Sequence, residues 1–191
     1  MTNPANTIVF TTSFDVDQIS AKLNWNSSGG SRPPTGRHSG SVYFEQGDTV
    51  ALVVVGGGSQ ILNPGGLPPI KSFEIVDFCV ITQPEIVECG PNTITKYANP
   101  SPFSNYLAAC HPMSLEFTNT QVSKNHYLEI TKNWIAPPDR PLTIGKQNGR
   151  WEISMYITVK IFREGLLEPI YRVFFFDPEG EVGTGLMNPG E

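Results

Sequence analysis

The sequence predicts an all-β protein, an antiparallel β-sandwich of about eight strands with long Gly/Pro-rich loops. Two observations carry this. Seventeen prolines and eighteen glycines punctuate 191 residues, which argues against long helices. Between those breaks lie short runs rich in Val, Ile, Phe and Tyr.

The clearest run is 151–161. Trp151, Ile153, Met155, Ile157, Val159 and Ile161 alternate with Glu152, Ser154, Tyr156, Thr158 and Lys160. A period of two is the mark of a strand with one core face, whereas a helix would scatter these apolar residues around its axis. After Arg163-Glu164-Gly165 and Pro169, a second strand over 170–176 completes a hairpin with a longer loop, and Asp177-Pro178 ends it. Further strands are expected over 7–12, 41–45, 49–55, 72–81, 113–118 and 126–131. Gln46-Gly47-Asp48 reads as a tight turn. Residues 15–25 fit a helix face through Val16, Ile19 and Leu23, or a strand through Ile19, Ala21, Leu23 and Trp25; a short irregular or strand segment is the reading adopted. Segments 26–40, 56–70 and 90–112 read as surface loops. A closed barrel is the alternative to two packed sheets.

Composition bounds the rest. The length suits a single domain over residues 1–191, with no linker-like shift between halves. Charged residues make up 16%, below the ~25% of an average domain. A surface this poor in charge repels its own copies weakly. The net charge is −5, and Lys and Arg never form a run, so neither nucleic acid nor an anionic membrane is an expected partner. The opening Met-Thr-Asn-Pro-Ala-Asn lacks the basic and apolar regions of a signal peptide, and no apolar run approaches the ~18 residues of a membrane span. Cys79, Cys89 and Cys110 are odd in number and show no Cys-x-x-Cys spacing. Free thiols in a reducing, cytoplasmic compartment are the simple reading.

No constellation announces catalysis. His38 lies in a Ser/Gly loop, and His111 sits between Cys110 and Pro112. No Gly-x-Ser-x-Gly elbow is present. An enzyme built from dispersed residues would make Cys110, His111 and His126 the first suspects. Gly56-Gly57-Gly58 follows an apolar strand as a phosphate loop would, but no Gly-Lys-Ser/Thr comes next, so it reads as a turn. Two acidic groups merit comparison with calcium sites, which gather carboxylates from loops. Asp15 and Asp17 form one; Asp177, Glu179 and Glu181 form the other. Trp25-Asn26 and Asn133-Trp134 have the composition of a glycan platform, although tryptophans ordinarily serve as core or loop anchors.

The long alternating strand 151–161, followed by Arg172-Val-Phe-Phe-Phe-Asp-Pro178, resembles the end of bacterial inclusion-body proteins of the PixA/AidA type. Glu45-Gln-Gly-Asp-Thr-Val-Ala-Leu52 is similar to their Gly-Asp-led central strand. The resemblance spans about a third of the chain, and with four methionines this sequence departs from the methionine-rich members. It implies a cytoplasmic protein of Gram-negative bacteria that accumulates in crystalline inclusions, and it supplies no catalytic residues. The expectation is therefore a non-enzymatic, self-associating protein whose partner is its own copy. The alternative is a calcium- or carbohydrate-binding module.

Overall fold

A computed structural model describes residues 6–29, 42–62, 66–90, 93–97, 99–146, 149–176 and 179–182. It contains no helix among them and thirteen strands. These are β1 (Thr7–Asp15), β2 (Asn24–Ser28), β3 (Val42–Phe44), β4 (Thr49–Ser59), β5 (Ile70–Pro84), β6 (Ile86–Gly90) and β7 (Thr93–Tyr97). They continue with β8 (Cys110–Pro112), β9 (Phe117–Lys124), β10 (Tyr127–Trp134), β11 (Gly149–Arg163), β12 (Ile170–Phe176) and β13 (Glu179–Val182).

The strands make two large sheets and a ribbon. The first sheet runs β2-β1-β4-β10-β9. The second runs β3-β13-β11-β5-β8, with β12 also paired to β11, and β6-β7 form a separate two-stranded ribbon. All pairings are antiparallel except β1 with β4 and β3 with β13. The protein is thus an all-β sandwich, as its period-two runs predict, with more strands than expected.

The two sheets share one core. β1 turns Ile8, Phe10 and Phe14 inward, and β4 adds Val50, Leu52 and Val54. From the other sheet β11 buries every second residue from Trp151 to Ile161, and β12 adds Phe174 and Phe176. The layers meet through aromatic rings. Phe14 stacks on Phe174 at 4.5 Å, and Phe10 lies 6.2 Å from Phe44 and 6.3 Å from Phe176. Each fully buried Phe contributes about 1.5–3 kcal/mol of hydrophobic stabilisation.

Three expectations need correction. Gly56-Gly57-Gly58 is not a turn but the last part of β4. Its glycines leave room for neighbours' side chains. A Cβ on Gly56 would stand 2.5 Å from the Phe73 ring and 2.7 Å from Phe14; one on Gly57 would strike Tyr127, and one on Gly58 would strike Val16. The segment 113–118 is mostly a connection: β8 ends before it, β9 begins inside it, and Trp134 Nε1 donates to the Ser114 carbonyl at 3.1 Å. The segment 90–112 is not one loop, since β7 and β8 interrupt it. Gln46-Gly47 does form the expected turn, closed by buried Asp48, which accepts from the backbone N–H groups of Glu45 and Asn6. That turn carries the chain from one sheet to the other rather than closing a hairpin. The hairpin of β11 and β12 is present as expected, in register from Ile161 opposite Ile170 to Met155 opposite Phe176.

Candidate functional site

The acidic pair after β1 is committed to internal partners. Asp15 Oδ2 accepts from the Tyr127 hydroxyl at 2.9 Å, and its Oδ1 accepts from the Asp17 backbone N–H at 2.7 Å. Burial, then the Asp15 hydrogen bond and charge, push the Tyr127 hydroxyl well above its usual range, so it stays protonated and keeps donating. Asp17 forms an ion pair with Arg163, whose side chain is only 1% exposed. The same guanidinium donates to the Pro68 carbonyl at 2.7 Å. Arg163 occupies the inward position that ends the alternating face of β11, and Asp17 is the counter-charge that lets it sit there.

The second acidic group lies elsewhere. Glu179 stands opposite Glu152 and Glu181 opposite Arg150, at the beginning of β11. Asp17 contacts Arg163 at its end, eleven positions beyond Glu152 (163 − 152). At ~3.3 Å per residue the two acidic groups are about 35 Å apart. Asp177 lies outside the described residues. Among the described residues no three His, Cys, Asp or Glu side chains converge as a metal site would require.

A cleft of about 310 Å³ opens on the outer face of the five-stranded sheet, beside Asp15. Ser13, Asp15, Asn24, Tyr127 and Glu129 line it above Gly57, whose missing side chain makes room for the Tyr127 ring. These groups offer hydrogen bonds, and none is a nucleophile paired with a base.

The suspected catalytic residues do not assemble. His111 points into the sandwich, 2% exposed, with Nε2 3.3 Å from the Thr82 hydroxyl and its ring 4.7 Å from that of Tyr106. Burial lowers its pKa. His126 sits in the tight turn between β9 and β10, where Asn125 and His126 both adopt positive φ. His38 lies outside the described residues. The tryptophans are anchors. Trp151 is fully buried with Nε1 bonded to the Asn99 carbonyl, Trp134 is buried, and Trp25 packs 6.0 Å from both Phe10 and Phe176. Trp134 and Trp151 therefore offer no open ring face, while half-buried Trp25 borders a surface cleft with Gln18, Ser20 and Lys22.

Sequence reasoning missed one juxtaposition. Cys79 on β5 and Cys110 on β8 place their sulfurs 3.3 Å apart. Register brings them together: Cys79 lies opposite Pro112 and Ile81 opposite Cys110, so the thiols are diagonal neighbours on one face. His111, between them in register, faces the other way into the core. Burial, then the contact with Cys110, pushes the Cys79 thiol up to about 11. Only strand pairing reveals this contact, since 31 positions separate the two cysteines. Comparison with known proteins adds no assignment: no family model matches the chain, and neither a curated protein nor a solved structure does.

Proposed function

We propose that the chain is a non-catalytic, self-associating protein whose copies join edge to edge through β9. The observation that carries this reading is the state of β9. It is eight residues long and ends the five-stranded sheet, with no strand on its far side among the described residues. Such an edge presents unpaired amides and carbonyls to any strand that approaches. Its sequence, Phe-Thr-Asn-Thr-Gln-Val-Ser-Lys, contains no proline and a single charge, at its end. Its pairing with β10 runs without a bulge.

The other edges are shorter or guarded. β3 and β8 have three residues each, and β2 has five. The open part of β5 is interrupted by a register shift at Val76 and carries Lys71, Glu74 and Asp77. β12 is covered by residues 21–23, through the Leu23 N–H to the Phe175 carbonyl and the Phe175 N–H to the Ala21 carbonyl, and Arg172 reaches the Val16 carbonyl. β9 has none of these defences. A second β9, antiparallel across a two-fold axis, is its natural partner because an isologous contact needs one self-complementary surface. Each ladder bond adds about 1 kcal/mol net. Low overall charge favours the same outcome. The inclusion-body proteins that the sequence resembles accumulate as crystalline inclusions in the bacterial cytoplasm, and this reading places the chain there too.

Sedimentation over a concentration series tests the proposal. The wild type is expected to form dimers or larger assemblies, and a Thr120→Lys, Val122→Lys double variant to remain monomeric with an unchanged melting point. A wild type that stays monomeric throughout, or a variant that assembles equally well, overturns it.

A further inference from the structure

The Cys79–Cys110 contact has the parts of a redox site. Cys110 is exposed and Cys79 half-buried, so an incoming molecule reaches Cys110 first. β8 is a three-residue edge strand with one neighbour, so it can shift without disrupting a second ladder. Diagonal neighbours on adjacent strands sit about 7–8 Å apart, and a disulfide needs Cα atoms within about 6.8 Å. β8 must therefore move toward β5 by about 1 Å, while the sulfurs close from 3.3 Å to about 2.05 Å. Exposed bridges that require such movement belong to the labile class, made and broken by exchange.

We propose that Cys79 and Cys110 form a thiol–disulfide exchange site that takes low-molecular-weight disulfides of the glutathione class. The Cys110 thiolate attacks one sulfur of the oxidised disulfide. A Cys110 mixed disulfide forms, and one small thiolate leaves with the electron pair of the broken S–S bond. Cys79 then loses its proton to solvent and attacks the Cys110 sulfur. The protein disulfide forms and the second small thiolate leaves. Two protein thiols are oxidised and one small disulfide is reduced to two thiols. The high pKa of Cys79 assigns it the second role, because it is rarely ionised until it is held against its target.

The test uses the full chain in buffers of oxidised and reduced glutathione, quenched by alkylation and mapped by peptide mass. Free thiols are expected to fall from three to one, with Cys89 left free and the bridge reversed by reduced glutathione. Cys89→Ser should form the same bridge. Cys79→Ser should stall with one glutathione on Cys110, accumulating on the order of tenfold more mixed disulfide than the wild type. Circular dichroism confirms that each variant is folded. A bridge involving Cys89, a wild type that stalls as the mixed disulfide, or equal bridging in urea overturns the proposal.

Discussion

Replacing Asp17 by Asn removes the counter-charge of a buried guanidinium and nothing else of comparable size. The Arg163 side chain is 1% exposed, its Nε has no hydrogen-bond partner among the described residues, and its other polar contact is the Pro68 carbonyl. Breaking a fully buried pair costs about 3–5 kcal/mol, and a surface pair is worth about 0–1 kcal/mol. Asp17 is 42% exposed, so water can follow the lost charge part of the way. The expected loss is therefore about 2–3 kcal/mol, which for a chain of this length lowers the melting point by about 5–10 °C. Urea unfolding followed by tryptophan fluorescence measures it. Arg163→Met serves as the partner variant, because replacing a buried ion by an apolar side chain of similar volume is often tolerated. The double variant should be little worse than Arg163→Met alone, giving a coupling of about 2 kcal/mol. A loss under about 0.5 kcal/mol for Asp17→Asn, with no coupling, refutes this account of Arg163. A calcium-dependent rise in wild-type melting that Asp17→Asn abolishes would instead return Asp17 to calcium chemistry.

Two further perturbations probe the core and its edge. Gly56→Ala should destabilise by about 2 kcal/mol in urea, since overpacking against Phe73 and Phe14 outweighs the about 0.5–1 kcal/mol gained from a stiffer unfolded chain; a neutral result contradicts the ring-for-side-chain packing. His111 is held neutral by burial, so its folded pKa lies below the unfolded value of about 6.5. Below that pH the unfolded chain binds the extra proton. The contribution is thus fully present above about pH 6.5 and is lost as pH falls. His111→Gln should flatten the fall in unfolding midpoint between about pH 7.5 and 5.5; an unchanged slope assigns it to other groups.

Elements with one wet and one dry face were legible in the sequence. β11 shows its whole buried face from Trp151 to Ile161 in its alternation, and β1, β4 and β10 follow the same rule at lower contrast. β9 was not legible. Its core-side positions Asn119, Gln121 and Ser123 project where the opposite sheet does not cover them, so no alternation marks the strand. The glycines of β4 were misleading for the opposite reason. They are as buried as a core demands, but the volume is supplied by Phe73, Phe14 and Val16, from other parts of the chain. Local chemistry could flag Asp15 and Asp17 as acidic, but only the three-dimensional contacts show that Tyr127 and Arg163 already occupy them. The thiol pair depends on register between two strands that share no sequence signal.

The pairing of β5 with β11 also carries a waiting time. Ile81 finds its partner in Ser154, 73 positions later in the chain (154 − 81). At a synthesis rate of roughly 5–20 residues per second, β5 spends about 4–15 s without the strand that forms its longest ladder. For that interval Phe73, Phe78 and Val80, all buried in the finished sandwich, lack β11, and only the three-residue β8 emerges early enough to pair with the end of β5. What the nascent chain meets first, its own C-terminal half or another unfinished copy, is settled by the spacing of polysomes and the rate of translation as much as by the stability of the final fold.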